Sequence, residues 1–132
     1  MNKKSINKTI LITGAVAGLI AVLLGAFGAH GLEKLVDNDN INSFTTGVRY
    51  QMYHAIVCLI LGNMSILTDA VKKRVFYFFL SGMILFSGSI YLLVIDEVLG
   101  VSLKSIGFIT PLGGLLLILG WILFIISLIK IK

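Results

Sequence analysis

The chain has 132 residues, 58% of them hydrophobic and 13% charged, with a formal net charge of +5 and a mean hydropathy of +1.03. This composition excludes an ordinary water-soluble globular domain and makes lipid the natural solvent. The positive residues form short clusters between apolar runs, with no basic face and no aromatic stacking platform, so they read as topology signals and give no footing for nucleic acid.

Residues 10–29, 50–67, 75–95 and 105–129 contain no Asp, Glu, Lys or Arg and approach or exceed the roughly 20 residues that cross a bilayer core. Each must be helical there, because lipid offers the backbone no other hydrogen-bond partner. The predicted fold is therefore all-α, a single domain over residues 1–132 built as a four-transmembrane-helix bundle.

The first run follows "MNKKSINK" and ends in the small residues of "AFGA", which also resembles a secretory leader. Its length, beyond the 7–15 apolar residues usual in leaders, favours retention as a span. Gly14, Gly18, Ala21, Gly25 and Gly28 recur along it at spacings of four, three, four and three, which keeps them on one seam. Small residues allow helices in lipid to approach closely and gain van der Waals contact. The seam fits packing within one bundle, or a face for self-association or for a larger membrane complex.

The second run is the shortest, and its helix is expected to begin earlier, near Asn40 or Asn42, with an Asn as N-cap and Arg49 snorkelling at the interface. Cys58 lies inside this run; a lone cysteine allows no internal disulfide and reads as small apolar filler. In the fourth run, Gly107, Gly114 and Trp121 stand at intervals of seven, with Gly113 and Gly120 beside them, as a second packing seam. Pro111 admits two readings. A helix running through it would kink where the ring meets the Gly107 carbonyl; alternatively Thr110 caps a helix that starts at Pro111. The kink is the reading preferred from sequence.

Lys3, Lys4 and Lys8, then Lys72, Lys73 and Arg74, then Lys130 and Lys132 fall on one side of the four runs, and only Lys34, Arg49 and Lys104 on the other. The positive-inside rule puts both termini in the cytoplasm. With that orientation, His30 ends the first helix on the outer side, Tyr50, Gln51 and His54 open the second, Ser87, Ser89 and Tyr91 lie past the middle of the third, and Thr110 and Pro111 stand at the outer entrance of the fourth. The outer half is thus expected to hold a polar cluster. Its members either bond one another between helices or line a small outward pocket with two histidines.

No metal or other cofactor is expected. Two histidines without an intramembrane carboxylate fall short of a zinc set. "DNDNINS" mimics a calcium loop only at its start, with Ile41 and Ser43 at the fifth and seventh places, Asn42 at the sixth where Gly belongs, and Val48 at the twelfth where Glu belongs.

Together "LGAFGAHGL" (24–32), "TGVRYQMYH" (46–54), "LFSGSIY" (85–91), "TPLGG" (110–114) and "GW" (120–121) resemble a widespread bacterial family of small inner-membrane proteins, the domain of unknown function numbered 423, which has a short eukaryotic transmembrane relative. The resemblance covers essentially the whole chain and implies a four-helix protein of the bacterial plasma membrane. It brings no activity, substrate or cofactor.

Among function classes, an enzyme is disfavoured: the spans hold no carboxylate and no nucleophile with a base and an orienting group. A binding or transport protein would use the outer pocket, although no intramembrane charge marks an ion route. An interaction protein, a small bundle that associates with itself or with a larger complex, is the leading expectation.

Overall fold

The computed structural model describes residues 3–131. The topology charge Lys132 and the side chains of Lys3 and Lys4 lie outside the described residues. The described residues form four α-helices: α1 (Lys3–His30), α2 (Asn38–Asn63), α3 (Asp69–Leu99) and α4 (Ile109–Ile129). Short 3-10 turns, Leu32–Lys34 and Lys104–Ile106, lead from α1 to α2 and from α3 to α4. Three stretches, Ser5–Lys34, Asp69–Leu99 and Lys104–Ile129, are long and apolar enough to cross a membrane. At 26 residues α2 has the length, but Asn38, Asp39, Asn40, Asn42 and Arg49 make its first half too polar to join them.

The architecture is two antiparallel hairpins, α1–α2 and α3–α4, joined through α2 and α3; α4 packs chiefly on α3. Within the first hairpin the small-residue seam of α1 faces α2. A Cβ on Gly14 would lie 2.9 Å from the Ala55 carbonyl oxygen, and one on Gly28 3.0 Å from the Phe44 ring. Gly18 and Gly25 approach Ala55 and Val48 more loosely, and Ala21 is buried. Because α2 covers the seam, these small residues serve packing within the chain, while Ile12, Leu19 and Leu23 on the other side of α1 stay exposed.

The second hairpin is tighter still. A Cβ on Gly113 would overlap the backbone of Leu85 and Phe86, and one on Gly120 would come within 2.8 Å of the Phe79 ring. Gly114 is peripheral, with Phe86 at ordinary contact distance. Gly107 lies ahead of α4, ending a 3-10 turn, so it belongs to no helical seam, contrary to the repeat of seven. Pro111 is the third residue of α4. Its missing N–H is one that the first turn leaves unpartnered anyway, and Gly107 is outside the helix, so no carbonyl clash arises and no kink forms. The sequence preference for a kink is corrected, and so is Thr110 as the cap, since Phe108 precedes the helix. Likewise the cap of α2 is Asp37, whose carboxylate accepts from the Asn40 N–H at 2.8 Å; an aspartate at this place holds the orphan donors of the first turn as well as an Asn would.

Two apolar clusters fill the interior. One, towards the end that holds the termini, joins Ile6, Ile10, Cys58, Leu61, Phe76, Phe79 and Phe124. The other, at the opposite end, joins Leu32, Phe44, Ile90 and Val94. Lys72, read from sequence as a free topology charge, is 2% exposed. Its ammonium donates to Asn7 Oδ1 at 3.1 Å, because the first turns of α1 and α3 lie side by side and enclose it.

Candidate functional site

The early start of α2 sets the position of the polar residues. A helix beginning at Asn38 places Tyr50, Gln51 and His54 near its middle, where the sequence alone puts them in its opening turns. Gln51, His54, Ser87 and Ser89 are buried, and each bonds to at least one other helix.

Gly47 and Gln51 lie one turn apart on α2, as Ser87 and Tyr91 do on α3, and the two pairs meet as rungs. Ser87 Oγ donates to the Gly47 carbonyl at 2.6 Å, and the Tyr91 hydroxyl donates to Gln51 Oε1 at 2.8 Å. The absence of a side chain at Gly47 permits this, since a Cβ there would sit 2.9 Å from the Tyr91 ring. Gln51 then uses its amide nitrogen on the other side, donating to the Ala17 carbonyl of α1 at 2.9 Å. One side chain thereby ties α1, α2 and α3.

His54 ties α2 to α4. Its Nδ1 lies 2.7 Å from the Tyr50 carbonyl oxygen, and its Nε2 lies 3.1 Å from the Trp121 indole nitrogen. A carbonyl can only accept and an indole N–H can only donate, which assigns the neutral tautomer with the proton on Nδ1. Both ring nitrogens are satisfied. The ring is walled by Phe79 at 5.2 Å and Trp121 at 6.1 Å between centroids. Finally, Ser89 and Thr110 share a hydrogen bond of 2.6 Å between α3 and α4.

One expected member stands apart: His30 is exposed at the end of α1, so the two histidines share no pocket. Tyr50 is 42% exposed, with its ring stacked beside His54 at 6.3 Å and resting on Phe86 at 4.9 Å. Sequence reasoning missed Trp121 as the partner of His54; a single indole donor in an apolar helix needs an acceptor, and that need is the signal that points to it. At the opposite end from the termini, a cleft of about 330 Å³ is lined by Asn40, Ser43, Thr46 and Thr110 with Ile90 and Val94. It contains neither histidine. Among the described residues no group of three His, Cys, Asp or Glu side chains is placed to hold a metal.

Long apolar helices held together by neutral side-chain bonds define an all-helical membrane protein. The chain belongs to the family described as Protein of unknown function (DUF423), whose profile matches residues 24–114. It is similar to a UPF0382 membrane protein of Staphylococcus aureus, 39% identical over 123 residues that cover 93% of this chain and 97% of that one. A UPF0382 membrane protein of Staphylococcus haemolyticus is 37% identical over 123 residues, with the same coverage. The UPF0382 membrane protein YwdK of Bacillus subtilis is 35% identical over 125 residues, 93% of this chain and 98% of its own. No solved structure matches the chain.

Proposed function

We propose that this is a multi-pass plasma-membrane protein of four spans with both termini cytoplasmic, working as a helix-packing and interaction protein with no catalytic role. The observation that carries the reading is the fate of the polar residues. Gln51, His54, Ser87, Ser89, Tyr91 and Thr110 are spent on bonds between or along helices, and the polar cleft at the far end is lined by neither histidine. With the α1 seam consumed, α4 is the surface for association with a second copy or a larger membrane complex. It rests mainly on α3 and turns Leu112, Leu115, Ile118, Ile122 and Ile125 outward. The polar side of α2 supports its place as a span, since Thr46 bonds back to the Asn42 carbonyl and Gln51 to α1 and α3, so few of its groups would meet lipid unpaired.

The test is native mass spectrometry of the full chain released from lipid nanodiscs. A fixed subunit number above one, or a stoichiometric protein partner, without a small polar solute is the expected result. A reproducible solute mass that disappears on Asn40→Ala or Thr46→Ala, residues that line the cleft away from the termini, would replace the packing reading with a binding one.

A further inference from the structure

A concavity of about 430 Å³ lies outside the polar set, at the end that holds the termini. It is formed where the start of α3 meets the end of α4. Arg74 and Lys130 bring two cationic side chains to it, Thr68 brings a hydroxyl, and Leu67, Val71 and Leu123 supply apolar walls. Thr68 caps α3 by accepting from the Val71 N–H, which leaves its own O–H proton to donate outward. Asp69 follows it in the first turn of α3, but among the described residues no Asp or Glu lines the cavity.

A second groove shares Arg74 and continues along the same helix pair. Alongside Arg74, the residues Lys73, Tyr77, Phe78 and Ser81 of α3 and Leu116 of α4 line its about 330 Å³. Arg74, Phe78 and Ser81 recur at spacings of four and three, and Leu116, Leu123 and Lys130 at sevens, so each set forms one stripe along its helix. They run roughly 10 Å along α3 and roughly 20 Å along α4 from a cationic head towards the middle of the helices.

We propose that this place binds an anionic phospholipid, with its phosphate held by Arg74, Lys130 and the Thr68 hydroxyl and an acyl chain laid along Tyr77, Phe78, Ser81 and Leu116. Charge complementarity selects the headgroup, and the continuous apolar groove selects a lipid over free phosphate. The site rests on membrane placement alone and is independent of the packing role.

The full chain is examined by native mass spectrometry with added dioleoylphosphatidylglycerol, dioleoylphosphatidylcholine or inorganic phosphate. Replacing the two cations of the head cavity, Arg74→Gln with Lys130→Gln, while keeping Lys73 of the groove, is expected to weaken phosphatidylglycerol binding about 25-fold, at about fivefold for each charge lost near a membrane surface. The pair Lys34→Gln with Arg49→Gln, exposed at the far side of the chain, should leave it unchanged. Phosphatidylcholine should bind far more weakly than phosphatidylglycerol, and inorganic phosphate should fail to displace the bound lipid. Unchanged phosphatidylglycerol binding in the first pair, equal retention of phosphatidylcholine, or displacement by inorganic phosphate would each overturn the proposal. The subunit number in the same spectra reports separately on the packing role.

Discussion

Gly113→Ala and Gly114→Ala alter neighbouring residues of α4 and should act in opposite directions. At Gly113 the new methyl would overlap the Phe86 amide nitrogen and sit 2.7 Å from the Leu85 carbonyl carbon. These are backbone atoms, which cannot turn aside as a side chain can. Restoring a 3.4 Å contact to the nearest of them requires α4 to retreat from α3 by about 1.2 Å. A gap of that size forfeits roughly half or more of each close contact it opens, and α4 has α3 as its main support. Overpacking of this kind costs about 1–3 kcal/mol. At Gly114 the methyl would meet only the Phe86 ring, at 3.6 and 3.8 Å, and alanine favours the helix by up to about 1 kcal/mol over glycine. Reversible unfolding in mixed micelles, followed by the fluorescence of the single tryptophan Trp121, measures both. Gly113→Ala should lose about 2 kcal/mol while Gly114→Ala is unchanged or slightly more stable. Equal losses, or a larger loss at Gly114, would refute the packing of α4 on α3.

Three further outcomes follow from the same contacts. Gln51→Met with Tyr91→Phe, taken through a double-mutant cycle, should show a coupling of about 0.6 kcal/mol, the size of an average interhelical hydrogen bond in a membrane. Additive losses would remove the rung between them. Lys72→Ala should cost about 2 kcal/mol through the cavity and the orphaned Asn7, whereas the exposed Lys73→Ala should stay within about 0.5 kcal/mol in the same unfolding assay. In a Cys58→Ser background, Ser102→Cys should react with an impermeant maleimide added to intact cells and Ser65→Cys should not, as cytoplasmic termini with four spans require; the reverse pattern would invert the topology.

The seam of α1 is legible in the sequence because helical spacing is local: Gly14 to Gly28 share a face wherever the helix sits, and only their neighbour, α2, has to be learned from the structure. The list of polar residues is legible for the same reason. Their partners are not, since Ser87 reaches Gly47 and His54 reaches Trp121 across 40 and 67 positions of chain. The charge-free runs group His30 with His54, yet α2 starts as early as Asn38, which leaves His54 near the middle of the hairpin while His30 ends α1. The fourth run is free of charge from residue 105, and that alone does not show where a helix starts; the turn at Gly107 moves the start to Ile109 and frees Pro111 from any kink. Lys72 reads as one of three equivalent charges until α1 is laid beside it.

The central claim is that the intramembrane polar side chains are locks between helices, and the His54–Trp121 bond is its most direct test. Magic-angle-spinning nitrogen spectra of the protein in lipid bilayers, with labelled histidine and tryptophan, report which ring nitrogen of His54 carries the proton and what the other accepts. A single neutral form is predicted, protonated at Nδ1, with Nε2 accepting from the Trp121 indole and that hydrogen bond abolished by Trp121→Phe. A proton on Nε2, or a His54 ring in exchange with water, would contradict the account.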